Sequence, residues 1–571
     1  MTHYLFSYTA SHRHFIDIDM TVNVQNQEQL FFQLPAWRPG RYELADFARN
    51  IQKWAAYNEK GEQLTHSKVS KDKWCVETLG AEAVTITYNY YANQLDAGST
   101  FLDDRQLYVN PVNCCMYLVG RENEECIIEL EVPDDYALAC GLEKIEKHIL
   151  KAHNFDQLAE SPFIASNSLQ YDVYEVSGIL FHLWFQGPCK PPFEKLKRDF
   201  AAFTQEQINC FGDFPCEEYH FLFQITPYKS YHGVEHTNST VILLGSEKNV
   251  FDDRYDDLLG ISSHELYHTW NIKAIRPVEM LPYNYTKENY SRLGYVAEGV
   301  TTYMGDLMLL RSGVFSWKQF VKTQNENLKR HLENEGRHNL SVAESSFDTW
   351  LDGYELGIPN RKTSIYTEGA LCMLMIDALI VSNSEGKYSL HDVMQDLYTD
   401  FAQEQKGYTE DDFQSLCVHY GGVEVAQVFS QHIYGTEDYL NSLSQFLPRI
   451  GLSIKDLENP SLAAHLFGFI TAKIGGKTII KKIHSNSSAD LAGLSVEDEI
   501  ISVNGEQIEK KLNDFLSKDI VKVNLTVKSR FQTKEITLKS ASYYPLKKVE
   551  RSQEVSDSIL LLRKKWGGTS I

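Results

Sequence analysis

The chain has 571 residues, 43% hydrophobic and 23% charged, with 55 Lys and Arg against 77 Asp and Glu for a formal net charge of -22. That length implies several domains and a sizeable core, and the acidic balance argues against general binding to nucleic acid or an anionic membrane. The 10 cysteines form no C-x-x-C and read as free thiols of a reducing compartment; with no leader pattern over residues 1–6 and no long apolar run, the expectation is a cytoplasmic protein.

Residues 1–188 read as a β-rich, sandwich-like domain. Ile16, Ile18, Met20 and Val22 alternate with polar residues, as do Val84, Ile86 and Tyr88, and Ile128, Leu130 and Val132. Leu34-Pro35-Ala36-Trp37-Arg38-Pro39-Gly40-Arg41-Tyr42 reads as a rigid loop anchored by aromatics. The period changes at the start of residues 189–450. Leu196, Phe200, Phe203 and Ile208 predict an amphipathic helix over Phe193–Phe211. Strands follow at 219–225 and 239–244, separated by a loop at 231–236. From about 290 the chain is mainly helical, with Ser389 and Asp392 starting one helix and Thr409 and Asp412 another. Residues 455–543 return to short strands with Gly and Asn turns, including the hairpin signal Asn504-Gly505. Residues 544–571 read as a tail.

The chemistry concentrates in His264-Glu265-Leu266-Tyr267-His268. Positions four apart share a helix face, so two imidazoles can meet one ion while the adjacent carboxylate takes a proton from water. A catalytic zinc takes three protein ligands and keeps a position open. The third-histidine variant is excluded, because positions 271 and 274 are Asn and Ala. Glu298 is the candidate third ligand, since it is the one carboxylate in the apolar and small run Tyr295-Val296-Ala297-Glu298-Gly299-Val300. Tyr366 is a candidate oxyanion donor, although spacing alone favours an ordinary tyrosine. In Gly233-Val234-Glu235-His236 the backbone offers groups to a substrate strand and Glu235 an anion to its ammonium; the alternative is a solvated loop charge.

Together these residues resemble the glycyl aminopeptidase family of zinc metallopeptidases, in the form that ends with a PDZ domain. The resemblance rests on Trp37-Arg38-Pro39-Gly40-Arg41-Tyr42, Gly233-Val234-Glu235-His236, the histidine motif continued to Asn271, Glu298-Gly299-Val300-Thr301 and Ser341-Val342-Ala343-Glu344-Ser345. It implies a β-rich N-terminal domain before an α+β thermolysin-like catalytic domain with a mostly helical second half, then the PDZ domain. It implies one zinc ion per chain on His264, His268 and Glu298, with Glu265 as general base and acid. Glu235, with Gly233 and His236, becomes the anchor of a peptide's free N-terminus, and Tyr366 the oxyanion donor. The expected reaction is removal of small N-terminal residues, Gly or Ala. Alternatives are a PDZ-recruited endopeptidase and a PDZ adaptor with an inactive peptidase domain. Leu466-Phe467-Gly468-Phe469 would be the PDZ loop that takes a peptide C-terminus, unless the domain only packs. Glu368 and Ile365 depart from the family's pattern around the tyrosine.

Overall fold

The computed structural model describes residues 1–353 and 357–568. Residues 354–356 of the expected catalytic segment and 569–571 of the expected tail lie outside the described residues. The alternation read in the first domain becomes strand Phe15–Asn23, with Ile16, Ile18, Met20 and Val22 buried and the intervening residues partly exposed. It pairs antiparallel with Ala83–Tyr91 inside a seven-stranded sheet, accompanied by two four-stranded sheets. The layering is sandwich-like, but not purely antiparallel. Strand Thr2–Ser7 runs parallel to Cys126–Leu130, starting with Thr2 opposite Cys126.

The expected boundary at 188 falls too late. Strands Gln170–Val176 and Ile179–Gln186 belong to the next sheet, because Ile179–Gln186 pairs in parallel with Glu218–Thr226. Ser239–Gly245 continues that sheet, and Ser230–Glu235 forms its free edge. The segment expected as a loop is therefore an edge strand. Helix Phe193–Phe211 buries Leu196, Phe200, Phe203 and Ile208 as their spacing predicts. Helix Thr367–Asn383 is apolar all round apart from Glu368 and Asp377 and is buried from Thr367 to Val381, so it forms the centre of the helical half. One apolar core runs from the N-terminal sheets through Trp37 to Tyr283, Tyr285, Trp350 and Ile365, fastening the first domain to the catalytic one.

The PDZ domain is inserted rather than appended. Its sheet and core lie between strands Leu452–Leu457 and Leu546–Arg551, which pair with each other outside it. Asn504 and Gly505, both with positive φ, turn the chain so that Val503 faces Glu506. The expected carboxylate loop is partly helical. Leu466 and Phe467 end helix Leu462–Phe467, and the Gly468 amide donates to the Ala464 carbonyl at 3.1 Å. Phe467 and Phe469 are buried in the PDZ core. That amide is already engaged, so it is not available to a peptide C-terminus in this conformation. The domain faces the catalytic part through His484 and Glu335 (3.6 Å) and Lys482 and Glu333 (3.7 Å), around a cavity of 1030 Å³.

Nor is the last segment a tail. Helix Asp557–Gly567 packs Trp566 against Trp317 and Phe320, and its indole donates to Tyr303 Oη at 2.9 Å and Asp377 Oδ2 at 2.8 Å. Asp377 is fully buried, and Tyr303 and the Leu390 amide also donate to it. Trp566→Ala is expected to cost about 3–5 kcal/mol of stability through the lost packing, read as a lower denaturant midpoint of the full chain. A midpoint unchanged from the parent would refute this docking.

Candidate active site

Helix Tyr255–Tyr267 carries His264 in its last turn and presents His268 at its C-cap. The two Nε2 atoms lie 3.0 Å apart. His268 Nδ1 lies 2.9 Å from the Asn271 carbonyl. A carbonyl only accepts, so Nδ1–H donates to it and Nε2 is the ring atom turned toward His264 and Glu298. Asn271 in turn donates to the Val296 carbonyl at 2.9 Å and to Thr301 Oγ1 at 2.9 Å. Those bonds tie the turn after His268 to the segment that carries Glu298.

Glu298 sits in a widened, π-type turn, Tyr295–Val300, that runs into helix Thr301–Arg311. It is buried, with Oε2 at 3.6 Å from His264 Nε2 and 3.4 Å from His268 Nε2. Burial works against its charge, but the two imidazoles outweigh it and hold the carboxyl at about 2. The other oxygen, Oε1, accepts from Tyr42 at 3.2 Å. Donors bonded tetrahedrally to zinc at about 2.0–2.1 Å would stand about 3.3 Å apart. The three ligand atoms fall around that spacing, and the set of two nitrogens and one carboxylate oxygen suits zinc. On this test the residues fit the metal. Tyr42→Phe removes the bond to Glu298 and is expected to weaken zinc affinity about tenfold, measured by chelator competition. Unchanged affinity would refute a supporting role for Tyr42.

Glu265 is buried and its Oε2 has no hydrogen-bond partner. Burial pushes its carboxyl well above the usual range; the charge of His268 opposes this, and those of Glu235 and Glu298 add to it. A Cβ on Gly233 would collide with this carboxylate, so the edge strand can pass Glu265 only as glycine. Glu235, at the end of that strand, is buried with Oε1 unpartnered, and its carboxylate lies within 4.8 Å of ligand atoms of Glu265 and His268. Gly40 closes over it, and a Cβ there would meet the Glu235 carboxylate.

The loop expected merely to anchor aromatics is thus a wall of the site. Trp37 holds it by donating to the Asn284 carbonyl and packing on Tyr283 and Trp350. Gly233, Glu235, His264, Glu265, Glu298 and Tyr366 share one cleft of 570 Å³. Tyr366 faces His264, with ring centroids 6.5 Å apart.

His236 does not line this cleft. It is buried behind it, 3.9 Å from Glu160, whose carboxylate pairs with Lys273 at 2.8 Å. Burial, with Lys273 and Arg38 nearby, lowers the His236 pKa well below the usual value. The expected contact of His236 with substrate therefore finds no support in the lining of the cleft. Glu368 also turns away from the cleft. It accepts from the Ser364 amide at 2.9 Å and lies 3.3 Å from His331 Nδ1, so its charge caps the turn before the helix. Ile365 is buried in the interdomain core. Sequence reasoning missed Tyr42, Gly40, Asn271 and Thr301 as parts of the site.

Residues 3–167 match the Peptidase M61 N-terminal domain, 257–372 the M61 glycyl aminopeptidase and 448–528 the PDZ domain. The fold is similar to that of an aminopeptidase N family protein from Idiomarina loihiensis, at TM-score 0.91 and 26% identity over 100% of this chain and 99% of that one. An M1 zinc metallopeptidase from Deinococcus radiodurans aligns at TM-score 0.47 and 12% identity, over 76% of this chain and 94% of that one. No curated protein matches the sequence.

Proposed function

We propose, for a chain that carries the M61 peptidase N-terminal and glycyl aminopeptidase domains with a PDZ domain and is therefore a zinc metallopeptidase, that it removes small N-terminal residues, Gly or Ala, from peptides. The observation that carries this reading is Glu235. It is a buried carboxylate with an unpartnered oxygen beside Glu265 and His268, walled by Gly40. Burying such a charge is costly unless something pairs with it, and a substrate α-ammonium is that partner. Gly40 packs directly against the Glu235 carboxylate, and an anion there rewards a free amine, which favours an exopeptidase over an endopeptidase.

His264, His268 and Glu298 are the residues that would hold zinc, which when bound supplies Lewis acidity and a water of lowered pKa. Glu265 takes the proton of the attacking water. It then passes that proton to the leaving amine. Tyr366 donates to the developing oxyanion from the His264 side of the cleft. The free edge of strand Ser230–Glu235 aligns the peptide backbone, with Gly233 allowing close approach. The short space between Glu235 and the ligand cluster favours a small first residue.

The test compares glycyl and alanyl peptides with their N-acetylated forms as substrates of the unmutated protein. A preference for the free amine of about 100-fold or more in kcat/KM is expected, in line with the loss of a charged hydrogen bond and of the burial it compensates. Equal rates would refute the reading.

A further inference from the structure

Resting on the aminopeptidase reading above, we propose that Glu160 is a positioning residue. From the N-terminal domain its one carboxylate holds the turn after Glu235 and the turn after His268 together, so that reading a substrate's free amine depends on the buried pair it forms with Lys273.

Glu160 caps helix Phe155–Ala159. Its Oε2 lies 2.8 Å from Lys273 Nζ and 3.9 Å from His236 Nδ1. The side chains of Glu160 and Lys273 are each 1% exposed, and charged groups are almost never buried so fully unless paired. Burial works against the Lys273 charge, but Glu160, ahead of Tyr283 and Glu235, outweighs it and holds the pKa above the usual value. A buried ion pair adds little net stability, and its best-attested use is to fix register.

Both partners of Glu160 belong to segments that carry the site. The Lys273 amide donates to the His268 carbonyl at 3.1 Å, and the Lys273 carbonyl accepts from Arg276 Nε at 3.1 Å. Lys273 is thus fixed to the turn that follows the second histidine. His236 directly follows Glu235. Its amide donates to the Ser239 carbonyl at 2.9 Å, closing the turn between strands Ser230–Glu235 and Ser239–Gly245.

The N-terminal domain grips this hairpin at further points. Asn238 Nδ2 donates to the Gly141 carbonyl at 2.8 Å, and a Cβ on Gly141 would collide with the Asn238 amide. Gly40 packs on Glu235 itself. Tyr285 donates to Asp156 at 2.5 Å, which docks the helix that Glu160 caps onto the catalytic segment. Strand Ser230–Glu235 is paired along one side only, so the position of its end rests on such contacts.

The experiment measures kcat/KM of the zinc-loaded full chain on an alanyl peptide with a free and with an acetylated amine. Glu160→Gln alone would leave a buried ammonium unpaired. The double variant Glu160→Gln/Lys273→Met removes both charges at nearly constant size, an exchange that buried pairs tolerate with little loss of stability. In it the free-amine peptide is expected to lose about tenfold in kcat/KM, chiefly through KM, with the acetylated peptide, zinc content and denaturant midpoint close to the parent. Asn238→Ala loosens the same turn without removing a charge and should lower the free-amine value about threefold, as for one lost hydrogen bond. Equal losses on both peptides would overturn the proposal, because a merely structural pair lowers activity without regard to the amine. A free-amine preference undiminished in both variants would overturn it too. The aminopeptidase reading is judged by the parent: a parent without the preference refutes that reading, whereas a parent that shows it beside variants that keep it refutes the role of Glu160 alone.

Discussion

Glu265→Gln is expected to lower kcat on a glycyl or alanyl peptide by about 10²–10⁴-fold, the range for loss of a general base, with folding and zinc content unchanged. The amide keeps the shape and fills the space against Gly233, which has no Cβ to collide with it. It cannot take the water proton. On the proposed reading no zinc ligand is altered, because His264, His268 and Glu298 make up one metal-competent group and Glu265 belongs to a second, with Glu235, that shares only His268 with the first. Activity within a few-fold of the parent, measured by steady-state kinetics on protein of confirmed zinc content, would remove Glu265 from the mechanism.

Glu235→Gln is expected to be the second largest effect and to be selective. It should lower kcat/KM for free-amine peptides by about 10- to 100-fold, the value of a hydrogen bond to a charged group. Hydrolysis of N-acetylated peptides, slow in the parent, should be unchanged. The selectivity follows from position. Glu235 lies at the end of the edge strand against Gly40, and on the proposed reading it meets the amine rather than the scissile bond. Equal loss on both substrate forms would show that Glu235 supports the site without reading the amine.

Much of the site was legible in the sequence, for physical reasons specific to each residue. His264 and His268 announce themselves because helical spacing alone puts them on one face. Glu298 stands out because a carboxylate in an apolar run must be compensated, and the structure supplies two imidazoles and the Tyr42 phenol. Tyr42 and Gly40 could not be assigned to the site from local pattern. Their partners, Glu298 and Glu235, lie about two hundred residues or more away in the chain, and a rigid aromatic loop has the same composition whether it walls a cleft or not.

Gly233-Val234-Glu235 reads as a loop in the sequence because an edge strand beside a site needs glycine and tolerates polar residues, which mimics a turn. The boundary at 188 was misplaced for a related reason. Period-two alternation is the same on either side of a domain junction, and only the pairing of Ile179–Gln186 with Glu218–Thr226 assigns those strands. The last segment was legible in principle. Leu560, Leu561, Leu562 and Trp566 in a terminal stretch indicate something to bury, and Trp566 finds Tyr303 and Asp377.

The central claim is that His264, His268 and Glu298 hold a catalytic zinc, and the most direct measurement is the zinc-to-protein ratio of the purified parent and of Glu298→Ala, taken with their activities. About one zinc per chain in the parent, with strongly reduced zinc and no turnover in the variant, is the expected result. A parent that turns over peptide without metal, or a Glu298→Ala protein that keeps stoichiometric zinc and activity, would contradict it.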